Sequence, residues 1–392
     1  MHALVQESLA LGEYLRDIRR ALHMQPELSF AERDTSRRIR LELDGLGIPW
    51  VPVGEHGVVG TVAGCHGDRM VLLRADMDAL PIEEENEGLS YRSRAPGAMH
   101  ACGHDGHVAL LLGAAKLLQA RQGQLQGTVK LCFQQAEERG GGTAEMLDHL
   151  RAFPLISAFA IHLWSELDAG KICTRSGPRM AGCDNFEVLL EGQGTHGAHP
   201  HRGIDPLRAA GVLMQEASML PSREVDPTHS AVLTFGKLQS GQAGNVIPHR
   251  AELAGSIRSA LPEDGATLRA ALERVVQGVA AAHRVHARLE IRRGGGALIN
   301  DAQCSALATE CVDELFGAEA VTQFPPLMVS ENFGDFFELC PGLMALVGAQ
   351  NPAVGACYPH HHPKFNIDES SLPQGAALMA QYAIRCLEQA RP

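Results

Sequence analysis

The stretch MVLLRADMD (70–78) is an apolar run that ends in two carboxylates. Its neighbours along the chain repeat the pattern. Val58–Val62, Met70–Arg74, Thr128–Phe133 and Ala158–Leu163 are short apolar runs that predict strands, whereas Leu4–Leu22, Arg33–Leu46 and Val108–Gln119 predict helices. Strands alternating with helices predict an α/β fold, a mainly parallel sheet flanked by helices. In such sheets functional residues gather where strands end. Asp76, Asp78, Glu137, Glu138 and His162 each follow a strand-like run within a few residues.

The middle of the chain changes character. Phe186–Glu191, Ala231–Leu238, Glu252–Arg258 and Val285–Ile291 read as strands, and Asp205–Leu220 and Ala266–Ala282 as helices. That β-α-β-β-α-β order predicts a ferredoxin-like α+β module. Pro178 and Gly182 before it and Gly294–Gly296 after it mark hinges. Three consecutive domains are the alternative. An inserted module is preferred because the last segment is too short for its own α/β core, giving one domain from 1–183 and 295–392 and an insertion at 184–294.

A net charge of −12 argues against a nucleic-acid-binding face. The first 20 residues lack the apolar core of a signal peptide, and no run of about 18 apolar residues exists to span a membrane. The ten Cys include no Cys-x-x-Cys pair and are expected to be reduced, which makes the cytoplasm the expected location.

MHACGHDGH (99–107) packs one thiol, three imidazoles and a carboxylate into nine residues. Such groups bind divalent transition metals. A buried Cys beside surface His, or a Cys nucleophile with a His base, leaves the other donor patches unexplained. Gly103 and Gly106 suggest an irregular loop at Cys102 and His104. Glu137 and Glu138 on an extended segment would point to opposite sides, so one can ligate while the other serves as the base that hydrolysis needs. Gly140–Gly142 lack the Gly-Lys-Ser/Thr of a phosphate loop. Of Asp76 and Asp78, one is suited to orient a ligating His. Among His360, His361 and His362 the residue pattern alone leaves the choice of ligand open.

LRADMDALPI (73–82), MHACGHDGH (99–107), FQQAEERGGG (133–142), GTHGAHPHRGIDP (194–206) and HHPKFNID (361–368) together resemble the M20 metallopeptidase family, in family order from about residue 19 to the C-terminal helix. The resemblance is to its amidohydrolase branch, with hippurate hydrolases, N-acyl-amino-acid amidohydrolases and plant auxin-conjugate hydrolases. It implies a catalytic domain binding two divalent metal ions (Zn, Mn, Co or Ni), interrupted by a lid that forms a homodimer or higher homo-oligomer. It implies Cys102, His104, Glu138, His162 and His361 as ligands, Glu137 as general base and Asp78 as support of the metal site. His196 matches the lid histidine that can reach a partner subunit's site, and Asn245 and Arg258 match substrate-holding positions, expected side by side. Departures fall at Gln135, where the family has Pro, and at Asn332, where it has Asp. The expected activity is cleavage of a small N-acyl amino acid. A dipeptidase or carboxypeptidase of the same superfamily, and a non-catalytic metal- or peptide-binding protein, are the alternatives.

Overall fold

The computed structural model describes residues 2–66 and 68–389. Its strands are, in chain order, β1 (Trp50–Val53), β2 (Gly57–Val62), β3 (Met70–Asp76), β4 (Thr128–Gln134), β5 (Leu155–Asp168), β6 (Ile172–Cys173), β7 (Gly177–Met180), β8 (Gly182–Glu191), β9 (Thr195–His196), β10 (Ala231–Ser240), β11 (Val246–Ile247), β12 (Arg250–Ser259), β13 (His286–Arg293), β14 (Leu298–Asn300) and β15 (Gly342–Gln350). The chain divides into two compact units. One comprises Met1–Gly177, Ile299–Pro325 and Asp335–Pro392, the other Pro178–Leu298 and Pro326–Gly334.

In the first unit a seven-stranded sheet runs β1-β2-β4-β3-β5-β15-β6. β3 pairs parallel with β4 and β5, and β15 pairs parallel with β5; β1, β2 and β6 join antiparallel at the edges. Every residue of β4 and all but the last of β15 are buried, as strands covered on both faces require. The helix His104–Gln119 is buried nearly all round, packed between helices Gly12–His23 and Ser371–Glu388. This packing, rather than amphipathicity, holds it, and its first turn meets the end of β3 at Asp76, the Asp78 just beyond it, and the middle of β5 at Leu163. The N-terminal helix predicted over Leu4–Leu22 is two helices, Ala3–Ala10 and Gly12–His23, broken beside Gly12 where helix propensity is lowest.

The second unit has an antiparallel sheet in the order β10-β12-β8-β13. Phe186, Val188 and Leu190 alternate along β8 into a core shared with Leu213 of helix Pro206–Ser218 and Leu268 and Leu272 of helix Pro262–His283. The element order is the ferredoxin-like one. Residues 178–183, 295–298 and 326–334 belong to this unit rather than to the one expected over 1–183 and 295–392. Backbone bonding explains it: Ala181 N–H donates to the carbonyls of Leu327 and Val329, and Leu327 N–H to that of Arg179. Among the described residues no helix is long and apolar enough to cross a membrane, and all ten cysteines are free thiols.

Candidate metal centre and hydrolytic site

Helix His104–Gln119 begins directly after Cys102. The expected irregular loop holds at Cys102 and Gly103, whereas His104 and Gly106 lie in the helix's first turn. Gly103 takes a left-handed φ of 92°. Gly106 lies so close to β5 that an added Cβ would sit 2.5 Å from Leu163 Cδ1. The approach brings His104 against His162, with ring centroids 6.4 Å apart.

Donor atoms of Cys102, His104 and His162 lie within 4.8 Å of one another, as do those of Cys102, Glu138 and His361, and those of His104, Glu137 and Glu138. Cys102 is common to the first two groups. His104 Nε2 and Glu138 Oε1 are buried, have no hydrogen-bond partner and face each other at 3.8 Å. Orphaned buried polar atoms are costly, and a divalent cation between them would satisfy both. The soft thiolate, imidazole and carboxylate donors fit a first-row divalent metal.

Supporting groups set each ring. His104 Nδ1 donates to the Asp78 carbonyl oxygen at 2.9 Å and lies 3.2 Å from its Oδ1, which leaves Nε2 to face the cluster. Burial disfavours the His104 cation, but Asp76, Cys102 and Asp78 outweigh it and raise its pKa. His162 Nδ1 is bound to the Leu163 carbonyl at 2.9 Å, and its Nε2 lies 3.7 Å from Cys102 Sγ. Burial, then His107 and His360, lower the His162 pKa and keep the ring neutral, the form that ligates metal.

The histidine triplet resolves by partners. His360 is half-buried, with Nδ1 at Ser165 Oγ and Nε2 at the Leu163 carbonyl, both 3.0 Å. His362 Nδ1 accepts Lys364 N–H. His361 has φ 63°, and its Nε2 comes within 3.5 Å of Glu138 Oε1. Geometry therefore selects His361 from the three.

Several supporting residues carried no role in the sequence reading. His107 uses both nitrogens, donating from Nδ1 to Asp76 Oδ1 at 2.6 Å and accepting Leu163 N–H at Nε2. Arg74 donates to Asp76 Oδ2 at 2.7 Å, and both are buried. Burial works against the Asp76 charge, but His104, Arg74 and His107 hold the carboxyl well below its usual range. Behind His104, Arg19 binds Asp105 at 2.8 Å, Asn366 at 3.0 Å and Glu369 at 3.2 Å. This buried network ties the start of the His104 helix to the segment that follows His361. An arginine inside an apolar strand and acids at buried positions were the signals available.

Glu137–Arg139 is a tight 3-10 turn, not the expected extended segment. Ala136 (φ 58°) reverses the chain after β4, so Glu137 and Glu138 are not split between two faces of a strand. Asp78 instead receives both backbone N–H groups, Glu137 at Oδ1 (3.1 Å) and Glu138 at Oδ2 (3.0 Å).

In the second unit, β9 and β11 form a ribbon that pairs His196 with Val246, and Gly197 N–H donates to the Asn245 carbonyl. His196 is exposed; its Nδ1 accepts Ala198 N–H at 3.0 Å, so the neutral ring carries its proton on Nε2. Arg258 sits at the other end of β12 from this ribbon. Eight residues separate it from Arg250, about 26 Å at roughly 3.3 Å per residue. The expectation that Asn245 lies beside Arg258 therefore fails within one chain. Among the described residues Arg258 has no carboxylate partner; its Nη1 donates to the Met328 carbonyl at 3.0 Å.

A cluster of groups that could hold metal ions sits on an α/β sheet, in a chain with a ferredoxin-like second unit, and the chain belongs to peptidase family M20/M25/M40, whose model matches residues 72–385. It is 37% identical to IAA-amino acid hydrolase ILR1-like 4 of Arabidopsis thaliana, over 96% of this chain and 86% of that protein. It is 35% identical to N-acetyl-L-cysteine deacetylase of Bacillus subtilis, over 96% and 89%. Among solved structures it is similar to the Bacillus subtilis YXEP protein, a dinuclear metal-binding peptidase of the M20 family, with a TM-score of 0.85, 31% identity, and 97% and 99% of the two chains covered.

Proposed function

We propose that the protein is a hydrolase of N-acyl amino acids that uses two divalent cations, held by Cys102, His104, Glu138, His162 and His361. The observation that carries this reading is the convergence of these donors beside a further carboxylate, Glu137, within 4.8 Å of the His104 and Glu138 donor atoms. Two such cations, when bound, polarise the acyl oxygen and acidify the attacking water. Glu137 takes the proton of that water on its carboxylate and delivers it to the leaving nitrogen. Asp78 fixes the turn that carries Glu137 and the tautomer of His104.

The relatives act on IAA-amino acids and N-acetyl-L-cysteine, both with a free carboxylate on the amine side. Arg258, which has no carboxylate partner among the described residues, supplies the positive charge an acidic protein needs to hold that group. The test is a panel of N-acyl amino acids, their amides and dipeptides, assayed with Mn²⁺, Zn²⁺, Co²⁺ and Ni²⁺. Free acids should be cleaved well and their amides poorly. Arg258→Lys should lower kcat/KM on the acid by roughly 10–100-fold, as expected for a lost charge-assisted pair, and change the amide far less. Equal cleavage of acid and amide by the wild type would remove Arg258 from this role, and preference for dipeptides would favour a peptidase.

His196 and Asn245 share one ribbon at the far end of β12 from Arg258. We infer, from the family resemblance, a homodimer in which this ribbon serves the partner's site, with the Nε2–H of His196 stabilising the developing oxyanion. Mixing His196→Ala with Glu137→Gln subunits should then restore about half of wild-type activity per heterodimer, because one of its two sites receives both intact groups. Verified heterodimers that stay inactive would place His196 outside the partner's chemistry.

A further inference from the structure

The turn that carries Glu137 is held by Asp78 and by two groups with no assigned role, Glu32 and Gln135. Three successive backbone N–H groups in it donate to buried carboxylates. Ala136 N–H donates to Glu32 Oε1 at 2.7 Å, and those of Glu137 and Glu138 donate to the two oxygens of Asp78. Ala136 has a left-handed φ, a conformation disfavoured for any residue with a Cβ and stable only where its surroundings enforce it. Gln135 anchors the same turn on its other side. Its Oε1 accepts the backbone N–H groups of His56 (2.5 Å) and Gly57 (3.2 Å), in the turn between β1 and β2. The fit is tight: a Cβ on Gly142 would lie 2.1 Å from the Gln135 carbonyl oxygen.

Glu32 is an unusual group to bury. It is fully buried, and its Oε2 has no hydrogen-bond partner. Burial pushes its carboxyl up to about 7, the backbone bonds of its own residue and Ala136 only partly oppose this, and Asp78 adds to the push. An apolar residue would pack there at lower cost to the fold, but it would leave the Ala136 N–H without an acceptor.

We propose that Glu32 and Gln135 are positioning residues for the base Glu137: Glu32 seats the Ala136 amide, and Gln135 clamps the turn to the β1–β2 connection. Neither touches the reacting atoms. Gln135 makes this clamp with its side-chain carbonyl alone, since Oε1 accepts both N–H groups. The proposal rests on the reading of Glu137 as the base.

The test compares Glu32→Leu and Gln135→Leu, which remove the acceptors, with Glu32→Gln and Gln135→Glu, which keep them. Each is made in the metal-loaded full-length protein, alone and combined with Glu137→Gln. Both leucine variants should lower kcat by about 10–100-fold, the scale of an ångström-sized misplacement. KM and bound metal should stay within about twofold of wild type, and both acceptor-keeping variants should recover most of the loss. On the Glu137→Gln background the leucine substitutions should cost nothing further, the signature of action through one residue. Unchanged kcat, a full additional loss on that background, or a loss tracking metal content would overturn the proposal. If Glu32→Leu fails to fold, Gln135→Leu and Glu32→Gln carry the same comparison. A Glu137→Gln enzyme with intact kcat would instead overturn the reading of the base itself.

Discussion

Glu137→Gln should lower kcat by roughly 10²–10⁴-fold, the contribution of a well-placed general base, or about 2.7–5.5 kcal/mol of barrier. Its metal content should be that of the wild type. The substitution keeps the shape of the side chain, and the turn is held through backbone groups: Glu137 N–H on Asp78, Ala136 N–H on Glu32, and Gly140 N–H on the Glu137 carbonyl. None of these depends on the Glu137 carboxylate. Glu138→Gln should behave differently, because Glu138 Oε1 is the buried orphan atom within 3.8 Å of His104 and 3.5 Å of His361. That variant should lose metal along with activity. Elemental analysis beside steady-state kinetics separates the two. Equal metal loss in both variants would show that Glu137 is itself a ligand and that the base lies elsewhere.

Much of this centre is legible in the sequence because its donors are chemically conspicuous and sit at the ends of apolar runs. Cys102, His104, Glu138 and His162 each stand just beyond or within a stretch whose strand or helix character follows from periodicity. What escaped was backbone geometry that residue type does not encode. Gly103 and Gly106 suggest a loop, which Gly103 keeps, but Gly106 is helical and lets the helix start against β5. Glu137–Glu138 read as extended because they follow a strand, but the left-handed Ala136 turns the chain before them. Asn245 and Arg258 were expected together because both match positions that hold substrate. Their separation along β12 is a matter of topology, visible only once the register is known. Gln135 stands out only as a departure from the family motif, with no role attached, and Glu32 gives no signal, since an acid in a polar segment is ordinarily solvated.

Removing the metal should abolish hydrolysis, and Cys102 is the residue through which this is most sharply tested. Its thiol belongs to both donor groups, so its loss weakens both positions at once. Burial, then the Glu138 carboxylate, push the Cys102 thiol well above its usual range, and a coordinated divalent cation supplies the opposing charge that holds a thiolate. Serine in its place offers a harder, poorly ionised oxygen in the same half-buried setting. Mutation of groups that merely orient ligands costs about 10–100-fold in affinity or activity, so Cys102→Ser, which removes a shared donor, should lose at least that much of each. Chelated wild-type protein should be inactive and regain activity when Mn²⁺, Zn²⁺, Co²⁺ or Ni²⁺ is returned, with the most effective ion identifying the preferred metal. Cys102→Ser should regain little at matched metal concentration and should hold less metal after desalting. The reading fails if demetallated protein, verified by elemental analysis, hydrolyses N-acyl amino acids as fast as the loaded enzyme. A Cys102→Ser variant that kept its full metal content but lost turnover would give a different answer: the thiol would then act on the substrate rather than on the metal, and the five-donor assignment would have to be redrawn around His104, Glu138, His162 and His361.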